Sequence, residues 1–182
     1  MDYRAAIARL ASGVAIVSTE FDGELHGMIV TSVMSGELDP PLVLVSMART
    51  GATRRAVAAR GSFRMGFLAE DEFALAQLFS DPGRFAERAE VLSAHRGDDG
   101  MPTGLGRLAE LTCDVVRIEP IVRHDLVIAR VRQHRVGDAS ARALLRADSA
   151  WAVPRAAITG MPGGTPRRSD SYTRQCEEII GA

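Results

Sequence analysis

A mainly β protein, a β-barrel with peripheral helices, is what three features of this chain predict. Its β-prone segments outnumber its helical ones. Two of them flank an Asp-Gly turn, and the helices fall between hairpins without the regular βαβ alternation of a doubly wound sheet. With 182 residues, 46% hydrophobic and 25% charged, the chain has material for one domain with a substantial core and a short appendage.

The elements follow in order. Tyr3, Ile7 and Leu10 recur at helical spacing, so Asp2 to Ala11 reads as a short amphipathic helix ending near Gly13. Val14 to Thr19 and His26 to Val33 are β-prone segments joined by the Phe21-Asp22-Gly23-Glu24 turn, which predicts a hairpin. After the break at Leu38-Asp39-Pro40-Pro41, the run Leu42 to Met47 has the continuous apolar character of a strand buried on both faces. Thr53 is placed to cap a helix running to about Arg60, and Gly61 to end it.

Phe63 to Leu68 reads as a strand, and Glu70 to Ser80 as a helix stopped by Asp81-Pro82-Gly83. Residues 84–106 read as irregular and polar. Leu111 to Ile118 and Leu126 to Val136 are expected as strands joined around Glu119-Pro120, then a short helix over Ala139 to Ala147 and a last strand over Ala150 to Val153. Composition shifts after Arg155, so residues 1–155 form the expected domain. Residues 156–182 form a linker-like tail with room for a short helix over Ser171 to Ile180. There is no internal repeat.

Composition excludes several functions. All 22 basic residues are arginine, so no Walker lysine, Schiff-base lysine or SxxK nucleophile exists in the chain. Any phosphate held by a cation is therefore held by the planar guanidinium fork. A net charge of −1 and 5% aromatic content give no basic footprint for nucleic acid. No apolar run is long enough to span a bilayer and the N-terminus shows no signal core, so a cytoplasmic protein without membrane partners is expected. Cys113 and Cys176 stand apart without CxxC, as buried or idle thiols would, and the four histidines lack metal-ligand spacing. Gly104-Leu105-Gly106-Arg107-Leu108-Ala109 matches the GxGxxA dinucleotide pattern in letters only, because Pro102 precedes it and no strand leads into it.

The segment from His26 to Thr53 is more informative. Thr31, Ser32 and Ser35 bring hydroxyls to the end of one strand, and Ser46 brings another to the end of the next. Arg49-Thr50-Gly51-Ala52-Thr53 is a small, basic, hydroxylated turn directly before a helix, where free N–H groups and a partial positive charge can hold a phosphate. An ordinary capped helix with a surface arginine carries the same letters.

Taken jointly and in order, Ala11-Ser12-Gly13-Val14-Ala15-Ile16-Val17, His26-Gly27-Met28-Ile29-Val30-Thr31-Ser32, Leu38-Asp39-Pro40-Pro41-Leu42-Val43-Leu44-Val45 and Gly61-Ser62-Phe63 resemble the flavin reductase family. The resemblance continues through Leu68-Ala69-Glu70-Asp71 and Arg84-Phe85-Ala86 to His124-Asp125-Leu126-Val127-Ile128, and covers roughly residues 3–147. It implies a Greek-key-like, FMN-binding split β-barrel and a homodimer. The implied activity is transfer of hydride from NADH or NADPH to FMN or FAD, with reduced flavin supplied to a separate flavin-dependent monooxygenase.

Carried over residue by residue, the resemblance places the flavin phosphate at Arg49, Thr50, Gly51 and Thr53. The ring would lie against Met28, Val30, Thr31, Ser32, Ser46 and Met47, with Arg84 and Phe85 also at the cofactor and His124 on the nicotinamide-facing side. Three departures stand out: Ile29 in place of a threonine, Gly51 in place of a serine, and no recognisable aromatic and basic closing motif in Ala150-Trp151-Ala152-Val153-Pro154-Arg155. The alternatives are a flavoprotein that retains FMN for other redox chemistry and a split-barrel accessory dimer without reductase activity.

Overall fold

The computed structural model describes residues 2–154. The Asp2 carboxylate accepts from Arg4 N at 3.0 Å and caps α1 (Tyr3–Ala8), a helix with no buried residue. β1 (Ser12–Gly13) precedes the hairpin of β2 (Ala15–Phe21) and β3 (Glu24–Val30). Its turn places Asp22 at φ 55° and Gly23 at φ 80°, the left-handed pair that matches strand twist. The strand expected to continue to Val33 ends at Val30. Residues 33–38 instead form a separate strand, β4 (Val33–Leu38), paired with β5 (Pro41–Ala48).

β5 is a correction in a second sense. Val43, Val45 and Met47 are buried, while Leu42, Leu44 and Ser46 on its other face are only half-buried, so one face alone meets the core. α2 (Ala52–Arg60) follows and is closed by Gly61 at φ 77°, as expected. Its N-cap is Gly51 and not Thr53; Thr53 lies inside the first turn and is buried.

β6 (Ser62–Phe67) leads through a 3-10 turn at Glu70–Glu72 into α3 (Phe73–Ser80). The stretch read as irregular contains α4 (Phe85–Ala94). Only Leu92 of this helix is buried, so its amphipathic signal is thin, and Arg84 paired with Glu87 marks its start.

β7 (Ala109–Ile121) and β8 (His124–Val136) are longer than expected and turn at Val122-Arg123, so Pro120 sits within the ladder opposite Asp125. The helix expected over 139–147 is absent. Its end is instead β9 (Leu145–Ala147), paired with β1 and with β10 (Ala150–Ala152), so tertiary pairing overrides the helical preference of an Ala, Leu and Arg-rich stretch.

The seven-stranded antiparallel sheet runs β3-β2-β6-β7-β8-β5-β4. Its two edge strands, β3 and β4, are separated in sequence by Thr31 and Ser32 alone. The sheet therefore curls until its edges meet at this link, where Ser46 N donates to Ser32 O at 3.0 Å. β3 and β4 do not pair with each other, which leaves the barrel split along a seam.

Strand alternation sorts the apolar residues into two cores. Ala15, Val17, Val45, Met47, Phe63, Met65 and Val127 fill the barrel, closed at one end by Val57 of α2. Val14, Ile16, Leu68, Phe79 and Leu92 form an outer core beneath α3 and α4. Each fully buried side chain of this size contributes about 1.5–3 kcal/mol. Cys113 lies in the barrel core, and burial pushes its thiol up to about 12, so it is an inert thiol. Cys176 and the expected helix over 171–180 lie outside the described residues.

Residues 104–108 form a loop, as expected, with Ala109 opening β7, and the loop crosses β6 in near contact. A Cβ on Gly66 would stand 1.4 Å from Leu105 O, which only glycine permits. The Glu72 carboxylate holds the loop by accepting from Gly106 N at 3.2 Å and Arg107 N at 2.9 Å.

Candidate functional site

The end of β3 and the link after it are the natural place for a ligand, because side chains from there, from α3 and the turn that follows it, and from the β9–β10 hairpin converge. On one side lies an open cleft of about 750 Å³ lined by Ile29, Thr31, Gln77, Ser80, Asp81, Pro82, Arg84, Arg146 and Trp151. The structure thus brings Thr31 and Arg84 together across a sequence gap no local pattern bridges. Ser32, the next residue of the link, is tied to Ser46 of β5 by a backbone hydrogen bond, and neither serine is among the residues lining the cleft. Beyond Ser46, β5 ends in the Arg49 turn and the N-terminus of α2.

At that end the local geometry is tightly specified. Gly51 N donates to Ala48 O at 3.0 Å, and Arg49 N donates to Arg123 O at 3.0 Å. The Arg49 guanidinium reaches Val122 O at 3.4 Å and the Asp125 carboxylate at 3.4 Å. No side chain caps α2, so the N–H groups of its first turn are left for another acceptor. Arg55 reaches back to Thr50 O at 2.6 Å. A Cβ at position 51 would approach Ala48 O to 3.1 Å, a tight contact. The Gly51 N–H is already spent on Ala48 O, so backbone contact with a ligand runs through the N–H groups of residues 52–54. The donor set therefore fits a phosphate: a guanidinium, uncapped helix N–H groups and the positive end of the helix dipole.

Several expected residues stand elsewhere. The Val30 and Met47 side chains are buried in the barrel core, so whatever they offer the groove is backbone. Met28 packs against the same core. His124 is exposed at the start of β8, opposite Ala48 on β5, which puts it beside the Arg49 turn and not among the residues lining the cleft. Phe85 is exposed beneath the Arg88 guanidinium, 4.5 Å from the ring centroid. Arg84 is held by Glu87: the hydrogen bond between them raises the guanidinium pKa further and lowers that of the Glu87 carboxyl.

Four site residues escaped the sequence reading. Arg54 and buried Asp125 join Arg49 in a charged trio. Arg146 and Trp151 supply, from opposite strands of the β9–β10 hairpin, a basic and aromatic pair missed within 150–155 alone. The Arg146 guanidinium lies 4.7 Å above the indole centroid, and Phe73 packs edge-on to the same ring at 5.8 Å. The register Trp151↔Arg146 makes them cross-strand neighbours, a relation visible only once the hairpin is assigned.

A sheet curled into a split barrel, with a cleft beside its β3–β4 link and a basic turn before a helix N-terminus, defines a class of small-ligand-binding barrel. The flavin reductase like domain model matches residues 7–151, and the chain belongs to that family.

Among curated relatives, the chain is 36% identical over 146 residues to the NADH:riboflavin 5'-phosphate oxidoreductase of Streptomyces pristinaespiralis, covering 79% of this chain and 81% of that protein. It is 33% identical over 133 residues to an NADH-dependent flavin reductase of a Rhodococcus species, covering 71% and 73%. Among solved structures, BorF, the flavin reductase component of a bacterial two-component tryptophan halogenase, superposes with a TM-score of 0.73 at 26% identity, covering 82% of this chain and 94% of that one. The styrene monooxygenase flavin reductase of Pseudomonas putida S12 gives 0.72 at 27% identity, covering 87% and 100%. The expected split-barrel fold and family are thereby borne out.

Proposed function

We propose that this chain is an NAD(P)H-dependent flavin reductase that takes FMN or FAD and supplies the reduced flavin to a separate flavin-dependent monooxygenase. The observation that carries the proposal is the pairing of two features in one split barrel: a basic turn at Arg49 before the uncapped N-terminus of α2, and a cleft lined by Thr31, Arg84, Arg146 and Trp151. The relatives named as NADH-dependent reductases, and one named as the reductase component of a 4-nitrophenol monooxygenase system from Rhodococcus opacus, support it. When bound, the flavin supplies the hydride-accepting ring.

What this chain supplies is positioning. Arg49 and the free N–H groups in the first turn of α2 bind the phosphate, with Gly51 shaping the turn that precedes them. Thr31, Ser32 and Ser46 border the ring with hydroxyl and peptide groups, while Arg84, Arg146 and Trp151 wall the space in which a nicotinamide approaches. His124, exposed beside the turn, is assigned to the nicotinamide-facing side on the strength of the family resemblance.

The same proposal covers assembly, domain extent and place. Met34 and Leu38 are large, exposed apolar side chains of β4, beside an apolar groove of about 440 Å³ that also involves Val33, Leu42 and Val131; a second copy of the chain is the occupant that suits it. The domain takes in residues 1–155, the tail 156–182, and the location is the cytoplasm. Among the described residues no helix is long and apolar enough to cross a membrane.

The test is steady-state oxidation of NADH and NADPH with FMN and FAD each added. Turnover that scales with free flavin is expected. Flavin binding without nicotinamide oxidation would overturn the reductase assignment.

A further inference from the structure

Asp125 is a costly residue where it stands. Its side chain is 1% exposed, and neither carboxylate oxygen has a hydrogen bond of good geometry; Arg54 Nε is likewise buried without a partner. A carboxylate taken out of water loses several kcal/mol of solvation, so it persists only where it is compensated. The compensation is visible: Arg49 Nε approaches Oδ1 at 3.4 Å, and Arg54 Nη2 pairs with Oδ2.

Asp125 is fixed in the middle of three strands, opposite Met47 on β5 and Pro120 on β7. The two arginines arrive from different elements, one from the turn after β5 and the other from the first turn of α2. Two guanidinium groups brought this close repel each other, and the anion between them pins both. Arg49 is held from its other side by Val122 O, in a turn whose β-branched residue sits at φ 47°, a backbone conformation kept only where the surroundings enforce it.

We infer that Asp125 is a positioning residue for phosphate recognition: it holds the Arg49 and Arg54 guanidinium groups together at the N-terminus of α2, making Arg54 the second cation of that site. This rests on the reading that the turn binds the flavin phosphate. The trio carries a net charge of +1, enough to attract a phosphate, and its charge-held geometry leaves guanidinium N–H groups free to donate to it.

The sign of the effect makes the inference testable. By charge alone, an anion near a phosphate weakens binding, so neutralising Asp125 would tighten it. A positioning role predicts the reverse. FMN and riboflavin are titrated against the full chain by flavin fluorescence, the difference between them being the phosphate.

In Asp125→Asn the FMN Kd is expected to rise at least 5-fold and the riboflavin Kd to stay within 2-fold of wild type. KM for FMN should rise in parallel and kcat at saturating FMN should change less than 2-fold. FMN binding as tight as wild type or tighter overturns the inference. If Asp125→Asn does not fold, Arg54→Gln decides: an FMN Kd raised at least 3-fold with riboflavin unmoved supports the pairing, and an unchanged FMN Kd overturns it. Should wild type bind FMN and riboflavin equally well, the phosphate reading itself fails and the inference falls with it. A wild type that prefers FMN alongside an Asp125→Asn variant with the same preference overturns the inference alone.

Discussion

At the N-terminus of α2 a buried carboxylate lies between two guanidinium groups. At the cleft end, Arg84 pairs with Glu87 in the open and Arg146 rests on an indole ring. Both ends are basic, yet their arginines are constrained differently. Arg49 is itself half exposed, but the carboxylate it compensates is buried. A cation that leaves a buried anion exposes that anion's desolvation cost, so Arg49 and Arg54 are preorganised before any ligand arrives. An exposed pair is screened by salt and exchanges its partner readily. The difference suits the proposed function, in which the turn would anchor a phosphate and the cleft would admit and release a visiting substrate.

The largest expected effect breaks the comparison at its rigid end. Arg49→Ala should raise the FMN Kd about 10- to 100-fold, the equivalent of one or two charge-assisted hydrogen bonds. The melting temperature should fall by several °C as well, because buried Asp125 loses one of its two compensating cations, so the Kd is read at a temperature where the variant is folded. An FMN Kd within 3-fold of wild type, measured by equilibrium titration, would remove Arg49 from the site.

Trp151→Ala addresses the cleft end. Losing the edge contact with Phe73 and the seat of Arg146 should cost about 1–2 kcal/mol by urea denaturation, with most of it recovered in Trp151→Phe. KM for the nicotinamide should rise while the FMN Kd moves little. A rise confined to the FMN Kd would place the indole at the wrong substrate.

The smallest effect is the sharpest statement about exposed cations. Arg84→Ala should change the FMN Kd by less than about 2-fold at physiological salt, since the guanidinium is already paired with Glu87 and hydrated. A 10-fold change would show that the two ends are held alike.

What could be read in advance follows the range of the interactions. The β2–β3 hairpin, the Gly61 helix stop and the basic turn at Arg49 are local patterns, set by neighbours within a few residues, and the sequence shows them directly. Their joint order also carries the family resemblance. The Asp125 trio joins residues on β8, α2 and the turn between β5 and α2, and its residue types are unremarkable in isolation.

The hairpin of β9 and β10 was hidden for another reason. Ala, Leu and Arg favour a helix locally, and only pairing with β1, more than 130 residues earlier, selects the strand. With the hairpin misread, Arg146 and Trp151 could not be seen as partners. α4 was missed because a helix with a single buried residue leaves almost no periodic trace.

Trp151 is the only tryptophan in the chain, and it stands in the wall of the cleft. The protein thus carries a built-in optical donor a short distance from where an isoalloxazine or a reduced nicotinamide would lie, and both absorb in the range where indole emits. Resonance energy transfer from this one residue reports occupancy of the cleft without any label. The order in which the two substrates load can be followed in stopped flow on the unmodified protein.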